Sequence, residues 1–234
     1  MNLKQDIKFT GTFSLEIDGN ADISIIPATN FCGFQLSTDV PDNDIDFNLG
    51  VDNLRIVDKN RNERVKSDFT HTKIAAEKKS GIASVLMGFV ADMTNIAHNN
   101  KKYGSIMLKL FVPNLETLKL DIENGQLSIG GGDCNIKNLI LNSSNLKLKL
   151  HHNFSTQNMN IDVDNLTADL YLSSDLKKAS IVSDNAKIKI DKSDFKGNIN
   201  ARGDNIRILG NTHGDLSLGN CDIDLDNGKI NIIN

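Results

Sequence analysis

A short polar pair recurs every twenty residues along the second half of this chain: Asn124-Gly125, Ser144-Asn145, Asp164-Asn165, Asp184-Asn185 and Asp204-Asn205. Runs in which aliphatic and polar residues alternate flank each pair, such as "LKLDIE" and "MNIDVD" before it and "LKLKL" and "AKIKI" after it. A period of two places alternate side chains on one face, so each run reads as a strand with one buried side. Two such strands and their corners fill the repeat, leaving no space for the crossover helix of about a dozen residues that other parallel sheets use. The chain must therefore coil, each repeat lying about 4.8 Å from the next. The expected fold class is all-β: a parallel β-solenoid with about 20 residues per rung. A meander or sandwich would also give many short strands, but would not demand a constant interval.

Stacking turns the apolar positions into columns. One holds Leu120, Ile140 or Leu141, Ile161, Ile181 and Ala201; another holds Leu127, Leu146 to Leu148, Leu166, Ile188, Ile206 and Ile208. Asp and Asn suit the corners because they bond to nearby main chain and tolerate left-handed backbone, and stacked Asn side chains can form ladders. "CDIDLDNGKINII" reads as a last rung, with Asp226-Asn227 twenty-two residues after its predecessor. "SLEIDGNADISII" and "FNLGVDNLRIV" have the same form, the latter repeating the "VDNL" of residues 163–166. The expectation is one domain over residues 1–234, with rungs from about residue 7, an interruption, and a resumption near Ser105.

The interruption, residues 58–104, reads as an insertion with helical periodicity. Ile82, Val85, Leu86, Phe89, Val90, Met93, Ile96 and Ala97 share one face of a helix near 81–98. Ser80 stands where a cap is needed. That helix either covers an open strand edge or offers Phe89, Val90 and Met93 as an interaction face. Its bracketing lysines at 78, 79, 101 and 102 would suit contact with a membrane surface.

Composition narrows the function classes. A net charge of -4 does not describe a basic nucleic-acid binder. Cys32, Cys134 and Cys221 are too few and too scattered for a disulfide framework or a paired-thiolate zinc site. "MNLKQDIKFTGTF" has no apolar export segment, which implies a cytoplasmic protein, or a cell-surface one if a leader was trimmed. "GIASVLMGFVADM" is too short to span a bilayer.

Chemistry-bearing motifs reduce to repeat grammar. His151-His152 would point to opposite faces of a strand, so they are not placed to share a metal. Asp222, Asp224 and Asp226 mimic the start of a calcium loop, but an EF-hand needs Gly and Glu where this chain has Asn227 and Ile233. No nucleophile elbow, phosphate loop or zinc-protease motif occurs. No catalytic, cofactor-binding or metal-ligating residue is therefore assigned, and no cofactor is expected. Arg202-Gly203-Asp204 has the composition of a cell-adhesion tripeptide, yet Asp204-Asn205 is the fifth corner pair. On that reading, replacing Asp204 disturbs stability first.

The opening "SLEIDGNADISII", the stretch "IMLKLFVPNLETLKLDIENGQLSI" and the rungs "LKLKL" and "AKIKI" together resemble the putative adhesin β-solenoids of bacteria, the auto-transporter adhesin head type of domain. The resemblance spans most of the chain outside about residues 58–102. It implies a right-handed coil without established enzymatic activity and supplies no active-site residues. "FKGNINARGDNIRILGNTHGDLSL" is similar to the rungs of bactofilins, cytoplasmic β-helices that polymerise end to end. The expected function is a non-catalytic binding platform for a protein or glycan surface. The alternatives are a self-assembling scaffold, which would be a homo-oligomer, and a polysaccharide-acting enzyme built on paired carboxylates.

Overall fold

The computed structural model describes residues 1–64, 104–191, 198–211 and 221–233; at 191, 198, 210, 211 and 221–233 it describes the backbone. The helix expected near 81–98, with Phe89, Val90 and Met93, lies outside the described residues. The described chain is all-β apart from one helical turn at 61–64. Its strands are β1 (Asn2–Asp6), β2 (Thr12–Pro27), β3 (Gly33–Thr38), β4 (Ile45–Leu49), β5 (Asn53–Asp58), β6 (Ile106–Val112) and β7 (Leu115–Ile129). They continue with β8 (Cys134–Leu150), β9 (Phe154–Ser155), β10 (Asn158–Tyr171), β11 (Lys178–Val182), β12 (Asn185–Asp191), β13 (Asn198–Asn211) and β14 (Cys221–Ile233).

From β7 onward the strands pair in parallel. Asn145 lies opposite Asn165, Asn165 opposite Asn185, Asn185 opposite Asn205 and Asn205 opposite Asn227. The first interval differs from the sequence reading: Asn124 pairs with Asn145, so it holds the second place of its corner pair and Gly125 faces Leu146. The strands are also longer than the expected five residues. β8 runs through its corner for 17 residues, because hydrogen bonding to the neighbours on either side does not stop there.

Alternation buries one side of every strand. Leu120, Leu141, Ile161, Ile181 and Ala201 form one registered column, all buried, so Leu141 and not Ile140 belongs to it. The second expected column resolves into two. Leu127, Leu148, Ala168, Ile188 and Ile208 stack together, while Leu146, Leu166, Ala186 and Ile206 stack one position pair earlier. At about 25 cal/mol per Å² of apolar surface, these columns supply the main drive for stacking.

The first half departs from parallel order. β3 is antiparallel to β1 and β6, and β4 is antiparallel to β5. "FNLGVDNLRIV" is thus a hairpin and not a rung. Leu49 pairs with Leu54, the Gly50 N–H donates to the Asn53 carbonyl, and Val51 is 75% exposed where Val163 of the same tetrapeptide is 1% exposed. β5 and β6 together line one side of β2: β5 pairs with Ser14–Asp18 and β6 with Ala21–Pro27, while β7 takes the other side. Space order here is not chain order, contrary to the simple stack the repeats imply.

Candidate functional site

Each corner divides a strand into two outward-facing halves, and asparagines mark the divide. Nδ2 of Asn145 donates to Oδ1 of Asn124 at 2.6 Å, Asn165 to Asn145 at 3.0 Å, Asn185 to Asn165 at 3.0 Å and Asn205 to Asn185 at 3.1 Å. A side-chain amide carries both donor and acceptor, so one residue type continues such a ladder indefinitely. The residue before the asparagine contributes backbone: the Asp164 carbonyl accepts from Ser183 Oγ and the Asp184 carbonyl from the Asn205 N–H. Asp204 is exposed, as is Arg202. Asp204 makes no side-chain hydrogen bond among the described residues. Gly203 beside it is closely confined, because a β-carbon there would sit 1.6 Å from the Ser183 carbonyl oxygen.

The half before the ladder is acidic. Asp121, Asn142, Asp162, Val182 and Arg202 form one outward column, and Glu123, Asp164, Asp184 and Asp204 each stand just before a ladder asparagine. With Glu16 and Asp18 of β2, carboxylates line a concavity of about 450 Å³. Asp18 is held above its ordinary carboxylate value, first by desolvation, then by a hydrogen bond to and the negative charge of Glu123, with Arg61 and Arg55 pulling the other way. Arg61 pairs with Glu123. Arg64 joins Asp44 to the buried Asp58. These two arginines tie the helical turn after β5 to the stack.

The half after the ladder has the opposite sign. Gln126, Lys147, Thr167, Lys187 and Arg207 form one registered outward column; Ser128, Lys149, Asp169, Lys189 and Leu209 form the next. The columns continue across β2, β6, β3 and β1 through Asp22 and Ser24, Met107 and Lys109, Ser37 and Gln35, and Asn2 and Lys4. Over those strands the flank is hollowed into a groove of about 510 Å³, in which Met107 is 48% exposed. Tyr171 stands two places beyond Asp169, with His152 edge-on to its ring at 6.1 Å between centroids. His151 Nε2 lies 2.9 Å from Ser128 Oγ. Its affinity for a proton is lowered, chiefly by desolvation and then by the charges of Lys149 and His152.

The signal for both flanks is visible in the sequence once the register is known. "LKLKL", "AKIKI" and "IRIL" place Lys or Arg between the apolar positions after each pair, while "DIE" and "DVD" place acids before it. Cys134 is buried and its thiol is pushed up to about 11 by desolvation, whereas Cys32 is exposed. Asp222, Asp224 and Asp226 fall on extended β14 and not on a coiled loop, the first two opposite Asn200 and Arg202 and the third between Leu225 and Asn227, which pair with Gly203 and Asn205. Among the described residues no three potential ligands gather as a metal site, and no helix is long and apolar enough to cross a membrane.

No protein-family model matches the chain, and no curated protein matches it. Solved structures similar to it are named as a putative adhesin from Bacteroides fragilis, with 12% identity, TM-score 0.49 and coverage of 100% of this chain and 96% of that one. A putative cell adhesion protein from Clostridium sporogenes has 12% identity, TM-score 0.41 and coverage of 99% and 98%. A putative adhesin from Parabacteroides merdae has 10% identity, TM-score 0.39 and coverage of 100% and 96%. At such identity no side chain of either flank is carried over from them.

Proposed function

We propose that this chain is a right-handed β-solenoid with about 20 residues per rung, acting as a non-catalytic platform that binds an extended protein or glycan surface. The observation that carries this reading is the register: outward side chains repeat at strand spacing in straight columns, acidic on one side of the asparagine ladder and basic on the other. A stack braced by parallel pairing and a continuous core holds those columns rigidly, so little ordering entropy is lost when a long ligand lies along them.

The test is an array of glycans and extracellular-matrix and bacterial-surface proteins probed with labelled chain, run beside an assay for release of reducing ends. Saturable binding without release is the expected outcome. Release of reducing ends, or no bound partner of any kind, overturns the platform reading.

A further inference from the structure

The flank after the asparagine ladder combines features that together describe a ligand. Lys147 and Lys149 on β8 and Lys187 and Lys189 on β12 are exposed and bracket the outward row of β10, two rows about 10 Å apart. Among the described residues none of these four lysines enters an ion pair, while cations elsewhere do, as in Arg55 with Glu16 and Lys137 with Glu116. Between the lysine rows lie one carboxylate, Asp169, and one aromatic ring, Tyr171. The net charge of -4 does not display this arrangement, since it sums these lysines with acids that stand elsewhere, Asp121, Asp162 and Asp164 of the other flank among them.

We infer that this flank binds a linear anionic glycan, one bearing carboxylate or sulfate groups, laid across the strands. This rests on the platform reading and names its ligand class. Each group has a separate task. The lysine pairs meet the anionic substituents, Asp169 accepts hydrogen bonds from sugar hydroxyls, and the Tyr171 ring offers an apolar surface to a sugar face. A nucleic acid fits less well, since a phosphodiester backbone crossing Asp169 has no donor to offer it and meets only like charge. The groove formed with β1, β3, β6 and β2 extends the same columns, so the track is nine strands wide, about 38 Å from first to last.

The experiment is fluorescence anisotropy with a polyuronate oligosaccharide, a sulfated glycosaminoglycan fragment, neutral dextran and single-stranded DNA, repeated at rising salt. Expected are binding to one or both anionic glycans that weakens with salt, little binding to dextran, and weaker binding to DNA. Replacing either pair, Lys147→Ala with Lys149→Ala or Lys187→Ala with Lys189→Ala, should weaken glycan binding by about tenfold or more, while Lys→Arg at the same positions retains it. Tyr171→Ala should weaken binding with the salt dependence unchanged, and Asp162→Asn with Asp164→Asn on the opposite flank should leave it intact. Failure of the wild type to bind either anionic glycan, equal binding to DNA, or lysine variants that bind like wild type would overturn the assignment. Array partners that the lysine variants still bind would leave the platform reading standing and sink only this one.

Discussion

Gly203→Ala separates the two readings of the Arg202-Gly203-Asp204 tripeptide. The added β-carbon would lie 1.6 Å from the Ser183 carbonyl oxygen and 2.7 Å from its carbon, far inside contact distance, and φ at Gly203 is +153°, where L side chains are strained. Relief requires β13 to move off the preceding rung at the corner. Two backbone hydrogen bonds bracket that point: the Ser183 N–H to the Arg202 carbonyl at 3.0 Å, and the Asn205 N–H to the Asp184 carbonyl at 2.8 Å. Losing both costs about 2 kcal/mol net, and residual backbone strain adds about 1–3 kcal/mol. The expected loss is therefore about 3–5 kcal/mol, a large share of the roughly 5–15 kcal/mol that holds a domain folded. In a chain of this size it should lower the midpoint of thermal unfolding by about 6–20 °C, followed by circular dichroism. Asp204→Ala, at an exposed position without a side-chain hydrogen bond, should stay within about 0.5 kcal/mol of wild type. The reasoning fails if Gly203→Ala melts with the wild type, or if Asp204→Ala is destabilised as much.

Asn165→Ala removes one donated and one accepted bond from the middle of the ladder, both exposed to water, and should cost about 1 kcal/mol, read as a lower urea midpoint at constant slope. Asp18 has a raised value in the folded state, so folding binds an extra proton and its contribution is present at low pH and lost as pH rises above the ordinary carboxylate value of about 4. Asp18→Asn should accordingly flatten the fall of stability across that window; a pH profile parallel to that of wild type would refute the raised value of Asp18. A thiol reagent at neutral pH should label Cys32 promptly and Cys134 only on unfolding, as mass spectrometry of the native and denatured protein would show, because Cys134 is buried and its thiol stays protonated.

The repeating corner pair and the alternation around it carry the parallel stacking of the second half, down to the column of Leu120, Ile161, Ile181 and Ala201. Those features are local and periodic, so counting along the chain recovers them. Three things escaped counting. The interval from Asn124 to Asn145 is one residue longer than those that follow it as far as Asn205, and only pairing reveals which member of a polar pair is stacked, since Asp and Asn look equally suited to a corner. The tetrapeptide "VDNL" turns a hairpin at 51–54 and continues a strand at 163–166, because β4 finds an antiparallel partner in β5 while β10 lies between two rungs. The flanks are the third case: their charges alternate with apolar residues in plain view, yet a one-dimensional sum gives -4.

Sequence alone thus determined that the second half of this chain is β, parallel and periodic, since a two-residue alternation at a fixed interval has few ways to bury its apolar face. Tertiary structure decided where each strand sits in space and which outward residues become neighbours. Lys147 and Lys187 are forty residues apart along the chain and two strands apart in space. That conversion of sequence distance into strand spacing, set by backbone hydrogen bonding across the stack, is what makes separated lysines into one basic flank.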